Sequence, residues 1–280
     1  MRWRRSAVVL TAIIFAAIVL LPLALMGFLQ QLARSMIYPG SPVPFPSAAD
    51  LARRYPAARL LEYRSADGLL LKGALVPAAD PGAPVAVYFH GNGESAAQNL
   101  PFAGEMARRG LGLFLAEYRG YGGLPGSPTE EGLYADGEAA VDALLAAGVP
   151  ADRLVLIGRS LGSGVATEMA LRRPCALLVL ISPYTSMVDM GKQIAGPAAA
   201  LMVSDRYDNL SKLPRVPAPV VILHGARDDV VPVTMGRALA AAVPAATYVE
   251  IPAASHNDFP GLEQLVEREI GKALRPSSRQ

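Results

Sequence analysis

Residues 154–166 read LVLIGRSLGSGVA. The apolar run Leu154–Ile157 predicts a short buried strand, Gly162, Ser163, Gly164 and Ala166 open a tightly packed helix, and Ser160 stands at the corner between them. Such a corner constrains the fold. Strand and helix nearly touch there, so the positions two residues before and after the serine must be small, and Gly158 and Gly162 meet that need. The turn lifts the Ser160 hydroxyl out of the sheet and aims the Leu161 backbone N–H at the same spot. A five-residue G-x-S-x-G match is short, and a glycine-rich turn carrying an idle serine reads the same in isolation.

The surrounding pattern supplies context. Leu60–Arg64 and Leu69–Val76 flank Asp67-Gly68, a residue pair favoured in tight hairpins, and predict antiparallel strands at the start of a sheet. Val85–Phe89, Leu111–Tyr118, Leu177–Ile181, Val220–Leu223 and Thr247–Ile251 predict further strands. Helices are predicted over 98–109, 129–147, from the elbow to Arg173, over 236–242 and over 261–274. This alternation predicts an α/β fold with a doubly wound, mainly parallel sheet. One connection is long. Between Ser182 and Pro219 lies a methionine-rich insertion, expected as a small flap near 183–218 or as another covering helix, which pattern alone does not separate.

The N-terminus differs in kind. Residues 6–33 carry no charged side chain, and 7–29 is almost continuously apolar. At about 1.5 Å per residue this is long enough to cross a bilayer. Arg2, Arg4 and Arg5 precede the run while Arg34 alone follows closely, so the positive-inside rule places the N-terminus in the cytoplasm and the remainder outside, in the periplasm if bacterial. A cleaved signal peptide is the competing reading, but its apolar core is usually only about 7–15 residues. The expected organisation is an Arg-rich tip and transmembrane anchor over 1–33, a proline-rich linker over 34–58 (Pro39, Pro42, Pro44, Pro46, Pro56), and a soluble domain over 59–280. A net charge of +2 without a dense basic block argues against a nucleic-acid partner. The lone Cys175 excludes an intrachain disulfide and reads as a small buried residue, and no spacing suggests a metal site or a cofactor.

In open parallel sheets, ligands sit beyond the carboxyl ends of the strands. The polar residues expected there are His90-Gly91-Asn92-Gly93, Ser160, His224 to Asp229 and Ser255 to Asp258. A serine needs a base to take its proton, and that base needs a carboxylate. In this arrangement the chain order is serine, acid, histidine. Of the three histidines, His90 precedes the serine, His224 precedes any acid in its loop, and His256 alone fits. Asp228 and Asp229 are adjacent candidates for the acid; Asp228 is chosen with Asp229 as the alternative, while Asp258 reads as a cap for the last helix. The backbone N–H of Asn92 is expected to face that of Leu161 across a reacting carbonyl, forming an oxyanion hole.

The blocks HGNGE at 90–94, YRGYGGLPGSPTEEGLYAD at 118–136, GRSLGSG at 158–164, HGARDDVVP at 224–232 and SHND at 255–258 resemble the α/β-hydrolase superfamily. More narrowly, they resemble its membrane-associated abhydrolase-domain branch, which includes esterases and protein depalmitoylases. The likeness runs over roughly residues 60–275, with the five blocks in the family's order. It implies Ser160 as nucleophile, Asp228 as acid (fourth after the histidine of its block) and His256 as base. Glu94-Ser95 and Gly123-Leu124-Pro125 depart from the family pattern at positions expected near the acyl pocket, and the N-terminal cysteines of the eukaryotic depalmitoylases are lacking. The expected activity is hydrolysis of carboxylic esters or thioesters with an apolar acyl part. A serine peptidase and a catalytically silent, membrane-tethered binding module are the alternatives.

Overall fold

Strands that are apolar at every position need cover on both faces. The computed structural model describes the backbone of residues 2–274 and the side chains of residues 15–274. Its strands are β1 (Arg59–Arg64), β2 (Leu70–Val76), β3 (Val85–Phe89), β4 (Gly112–Ala116), β5 (Leu154–Arg159), β6 (Leu177–Ile181), β7 (Val220–Gly225) and β8 (Thr247–Ile251). They form one sheet in the order β1-β2-β4-β3-β5-β6-β7-β8. β2 runs antiparallel to both β1 and β4, and every other pairing is parallel. The mainly parallel, doubly wound α/β sheet expected from the alternation is the one observed.

The period of two sorts each strand's side chains between two cores. Val87, Phe89, Leu154, Leu156, Leu178 and Leu180 pack with the apolar faces of α4 (Glu130–Ala146), α5 (Leu161–Arg172) and α8 (Val233–Ala242). Ala86, Tyr88, Val155, Ile157, Leu177 and Val179 pack with α3 (Leu100–Arg108) and α9 (Leu262–Ala273) on the other face. Helix α4 begins where its sequence says it should, with the Thr129 hydroxyl accepting the Gly132 N–H at 3.0 Å. Asp258 does not cap α9 as expected. The N-cap is Gly261, at φ 71°, while Asp258 closes a turn with Ser255 three residues earlier.

The N-terminal helix α1 spans Arg2–Ile37. Its stretch Phe15–Ile37 has a mean hydropathy of 2.0 and none of it is buried, so it is long and apolar enough to cross a membrane, a test a signal sequence also passes. The side chains of the arginine-rich tip and residues 275–280 lie outside the described residues. The segment 34–58 is not the extended linker that its prolines suggest. α1 continues to Ile37, Tyr38 is buried, and α2 (Ala48–Arg54), capped by Ser47, buries Leu51 against the second core. The Phe45 N–H donates to the Gly122 carbonyl at 2.7 Å. A few apolar and capping residues between the prolines thus hold the segment to the domain.

The insertion after β6 folds into α6 (Met187–Ala195), a 3-10 turn over Pro197–Leu201, and α7 (Asn209–Lys212). Apolar residues of α6 and the following turn meet the last turn of α1 over the carboxyl end of the sheet.

Candidate active site

The carboxyl ends of β5, β7 and β8 bring three distant loops together. Ser160 follows β5 directly and adopts φ 49°, a left-handed value unusual for a residue with a Cβ. The surrounding close approach explains the glycines: a Cβ on Gly158 would strike the Gly162 carbonyl and Ala166, and one on Gly162 would strike the Phe89 and His90 carbonyls. Strand β5 and helix α5 therefore meet backbone to backbone, and the serine projects from the corner.

His256, in the loop after β8, places Nε2 3.1 Å from Ser160 Oγ. Its Nδ1 lies 2.9 Å from Asp228 Oδ2 and 3.0 Å from Oδ1. Asp228, in the loop after β7, is fixed by its own backbone, with Oδ1 accepting the Val230 N–H at 3.0 Å and the Val231 N–H at 2.7 Å. Burial pushes the Asp228 carboxyl up. The hydrogen bond and charge of His256 and the Val231 N–H outweigh that, and the net shift is downward. Asp229 is exposed. Ser160, Asp228 and His256 are thus brought together, and Asp229 and Asp258 are not.

His224 is fully buried and donates from Nε2 to the Val231 carbonyl at 2.9 Å, closing the loop that holds Asp228. Burial lowers its pKa, in keeping with a neutral structural ring. Cys175 is half-buried, and burial pushes its thiol up to about 11, the opposite of what a nucleophile needs.

The loop after β3 carries Asn92 to the edge of Ser160. Among the described residues, the backbone N–H groups of Asn92 and Leu161 donate to no protein acceptor. The orientation of the first follows from His90, whose side chain the sequence reading left without a role. Its Nδ1 faces the Gly91 carbonyl at 2.7 Å and its Nε2 faces Glu117 Oε1 at 2.8 Å. Glu117, also fully buried, accepts the N–H groups of Tyr118 and Ala96. Acceptors on both sides of the ring call for an imidazolium. Burial lowers the His90 pKa, but the Glu117 carboxylate outweighs it and the net shift is upward. The Gly91 carbonyl and the Asn92 N–H share a trans peptide plane and point in opposite directions. Holding the carbonyl on His90 therefore turns the N–H to the other side of the loop.

A second brace was also missed. Glu94 accepts the Gly91 N–H at 2.8 Å and pairs with Arg159 at 3.3 Å. Arg159 in turn donates to the His256 carbonyl at 3.0 Å and to Asn257 Oδ1 at 3.3 Å. One guanidinium thus ties the Asn92 loop, the serine corner and the histidine loop together. A charged residue inside an otherwise small-residue motif was the available signal.

Ser160 opens onto two cavities. One, of about 220 Å³, is lined by Met36 and Ile37 of α1, Met187, Met190 and Ile194 of α6, and Val231, with Asn92 and Leu161 at its base. The other, of about 430 Å³, is lined by Glu94, Gln98, Arg159, His256 and Asn257. Glu94 therefore lines the polar cavity, because its carboxylate is drawn to the Gly91 N–H and Arg159. Residues 123–125 line neither cavity, and Gly123 faces Pro44. Among the described residues, no cluster of histidine, cysteine and carboxylates has metal-binding geometry.

Comparison with known proteins agrees with this architecture. Residues 81–207 match the family model Hydrolase_4, described as serine aminopeptidase, S33. An uncharacterized protein of Mycobacterium tuberculosis is 35% identical over 250 residues, covering 88% of each chain. Alpha/beta hydrolase domain-containing protein 17C of Xenopus tropicalis is 33% identical over 221 residues, covering 77% of this chain and 70% of that one. Among solved structures, a Pyrococcus furiosus esterase superposes with a TM-score of 0.66 at 18% identity, covering 84% of this chain and 96% of its own. A Rhodococcus esterase gives 0.56 at 19% identity, covering 77% and 98%. At such identities the structural likeness speaks for the fold, and the sequence likeness for the lineage: the chain belongs to the α/β-hydrolase domain-containing family.

Proposed function

We propose that this protein is a membrane-anchored serine hydrolase that cleaves carboxylic esters or thioesters through an acyl-enzyme. The observation that carries the reading is the position of His256, within hydrogen-bond reach of Ser160 on one side and Asp228 on the other. In this reading His256 Nε2 takes the Ser160 proton as Oγ attacks the carbonyl carbon, and the Asn92 and Leu161 N–H groups receive the developing oxyanion. The intermediate collapses, the bond to the alkoxide or thiolate breaks, and the proton on His256 passes to that leaving group. Water, deprotonated by His256, then attacks the acyl-enzyme and releases the acid with Ser160 restored. Asp228 keeps Nδ1 protonated and offsets the imidazolium charge throughout. No step calls for a cofactor.

The apolar cavity at Ser160 supports an apolar acyl part, and the polar cavity opposite it supports a polar leaving group. Hydrolysis of p-nitrophenyl esters of graded chain length, set beside peptide p-nitroanilides, tests this. Ester turnover that disappears in Ser160→Ala is expected, whereas turnover of peptides alone would favour the peptidase reading suggested by the description of the matching family model. The intact Ser-His-Asp geometry argues against a silent binding module. We read Phe15–Ile37 as a single-pass anchor with its N-terminus in the cytoplasm and residues 59–280 as the catalytic domain outside, 183–218 being a flap over the site. A reporter fused at the C-terminus tests the orientation, and cytoplasmic signal would reverse it.

A further inference from the structure

The last turn of α1 does more than end a hydrophobic helix. Ala33, Met36 and Ile37 face the cavity that reaches Ser160, across from Met190 and Ile194 of α6. Two contacts with the flap hold them there. Arg34 Nε pairs with Asp205 Oδ2 at 3.0 Å, with a further hydrogen bond from Nη2 to Ser204 Oγ at 3.3 Å. One turn on, the Tyr38 and Tyr207 hydroxyls share a hydrogen bond of 2.9 Å, both rings buried. Tyr207 sits at φ 42°, a left-handed value that a large aromatic residue rarely adopts, so the flap holds this ring in place by its packing. A simple tether would need neither contact, and a flexible one would not complete a cavity wall.

From this we infer that α1 is a specificity-determining part of the enzyme: its last turn forms one wall of the acyl subsite, and the Arg34–Asp205 and Tyr38–Tyr207 contacts keep that wall closed. The inference rests on the hydrolase reading above and deepens it. The cavity rim continues outward in apolar residues that are themselves exposed, Met36 and Ile194 among them. Met36 lies at the end of the helix stretch able to enter a bilayer, and Ile194 lines the same cavity. The substrate class that fits is a long apolar acyl chain whose far end stays at the membrane surface while its carbonyl reaches Ser160.

The test uses the full-length protein in detergent micelles, with p-nitrophenyl acetate and p-nitrophenyl laurate as probes and a small fluorophosphonate as a label for the activated serine. Met36 is exposed, so Met36→Trp narrows the cavity from the α1 side without disturbing the core. It is expected to lower kcat/KM for the laurate about tenfold or more relative to the acetate. Arg34→Met, which frees the wall, is expected to raise KM for the laurate severalfold relative to that for the acetate. If Ile194→Trp shifts the chain-length profile and Met36→Trp does not, the acyl chain binds in the cavity but α1 is not its wall, and the inference falls. If neither shifts it, the cavity is not the acyl subsite, and the inference falls while labelling leaves the hydrolase reading standing. A wild-type protein that neither labels at Ser160 nor hydrolyses either ester would overturn the hydrolase reading itself, and this inference with it.

Discussion

The two sides of Ser160 are built on different principles. The polar side is made by loops at the ends of neighbouring strands, each pinned by charged hydrogen bonds: Glu94 to Gly91 and Arg159, and Arg159 to the histidine loop. The apolar side is made by two segments outside the alternating strand–helix pattern, the end of α1 and the insertion 183–218, which meet through methionine, isoleucine and valine. Directional hydrogen bonds fix atoms to within tenths of an ångström, whereas flexible methionine side chains fill space and adapt to what enters. On the proposed function, the sheet's own loops set the chemistry and the added segments select the acyl chain.

The comparison breaks first at the point both sides share. Ser160→Ala is expected to lower ester turnover by about 10⁶-fold, and Asp228→Asn by about 10⁴-fold, equally for short and long esters. A chain-length-dependent loss in steady-state kinetics would mean that the two sides are not separable at the reaction centre. Next comes the buried pair beneath the Asn92 loop. Glu117→Gln leaves the His90 charge uncompensated and is expected to cost about 3–5 kcal/mol of stability, read by urea unfolding. Because the folded-state pKa of His90 is raised, its contribution is full below the unfolded value of about 6.5 and is lost as pH rises through the higher folded value. His90→Gln should therefore remove an alkaline decline in stability that the wild type shows. Asp228 has the opposite sign. Its lowered pKa gives stability present at neutral pH and lost on acidification through the folded value.

Smaller effects sharpen the contrast. Arg159→Met, on the polar side, is expected to lower kcat about 10–100-fold for every ester alike, since it loosens loops that hold the reacting groups. Met190→Trp, on the apolar side, is expected to cost long-chain esters about tenfold relative to acetate. Asp229→Asn, exposed and facing neither side, should stay within about twofold of wild type.

Much of this was legible in the chain because it depends on local rules. Apolar runs marked the central strands, Thr129 marked the start of α4, and the Gly158–Gly162 pair marked a strand and helix in contact. The order of Ser160, Asp228 and His256 along the chain matched residues that meet in space, although spacing alone did not separate Asp228 from Asp229. The distinction came from loop geometry, in which Asp228 accepts the Val230 and Val231 N–H groups and Asp229 points to solvent. What stayed hidden was long-range. The Arg34–Asp205 pair spans 171 residues and the Arg159 hydrogen bond to the His256 carbonyl spans 97, and no periodicity encodes either. His90 precedes the serine in the chain and so does not fit the order of a base, yet its side chain bridges the Gly91 carbonyl and Glu117, the residue after β4, which no sequence pattern links to it. Proline spacing hid α2, because Ser47 and Leu51 are single residues whose cap and burial emerge only in the folded chain.

Covalent labelling of the full-length protein with a fluorophosphonate, followed by mass spectrometry of the modified peptide, tests the central claim most directly. The account predicts one adduct, on Ser160, formed rapidly in the wild type, strongly slowed in His256→Gln and absent in Ser160→Ala. A wild-type protein that resists the reagent, or an adduct that persists in Ser160→Ala, would contradict it.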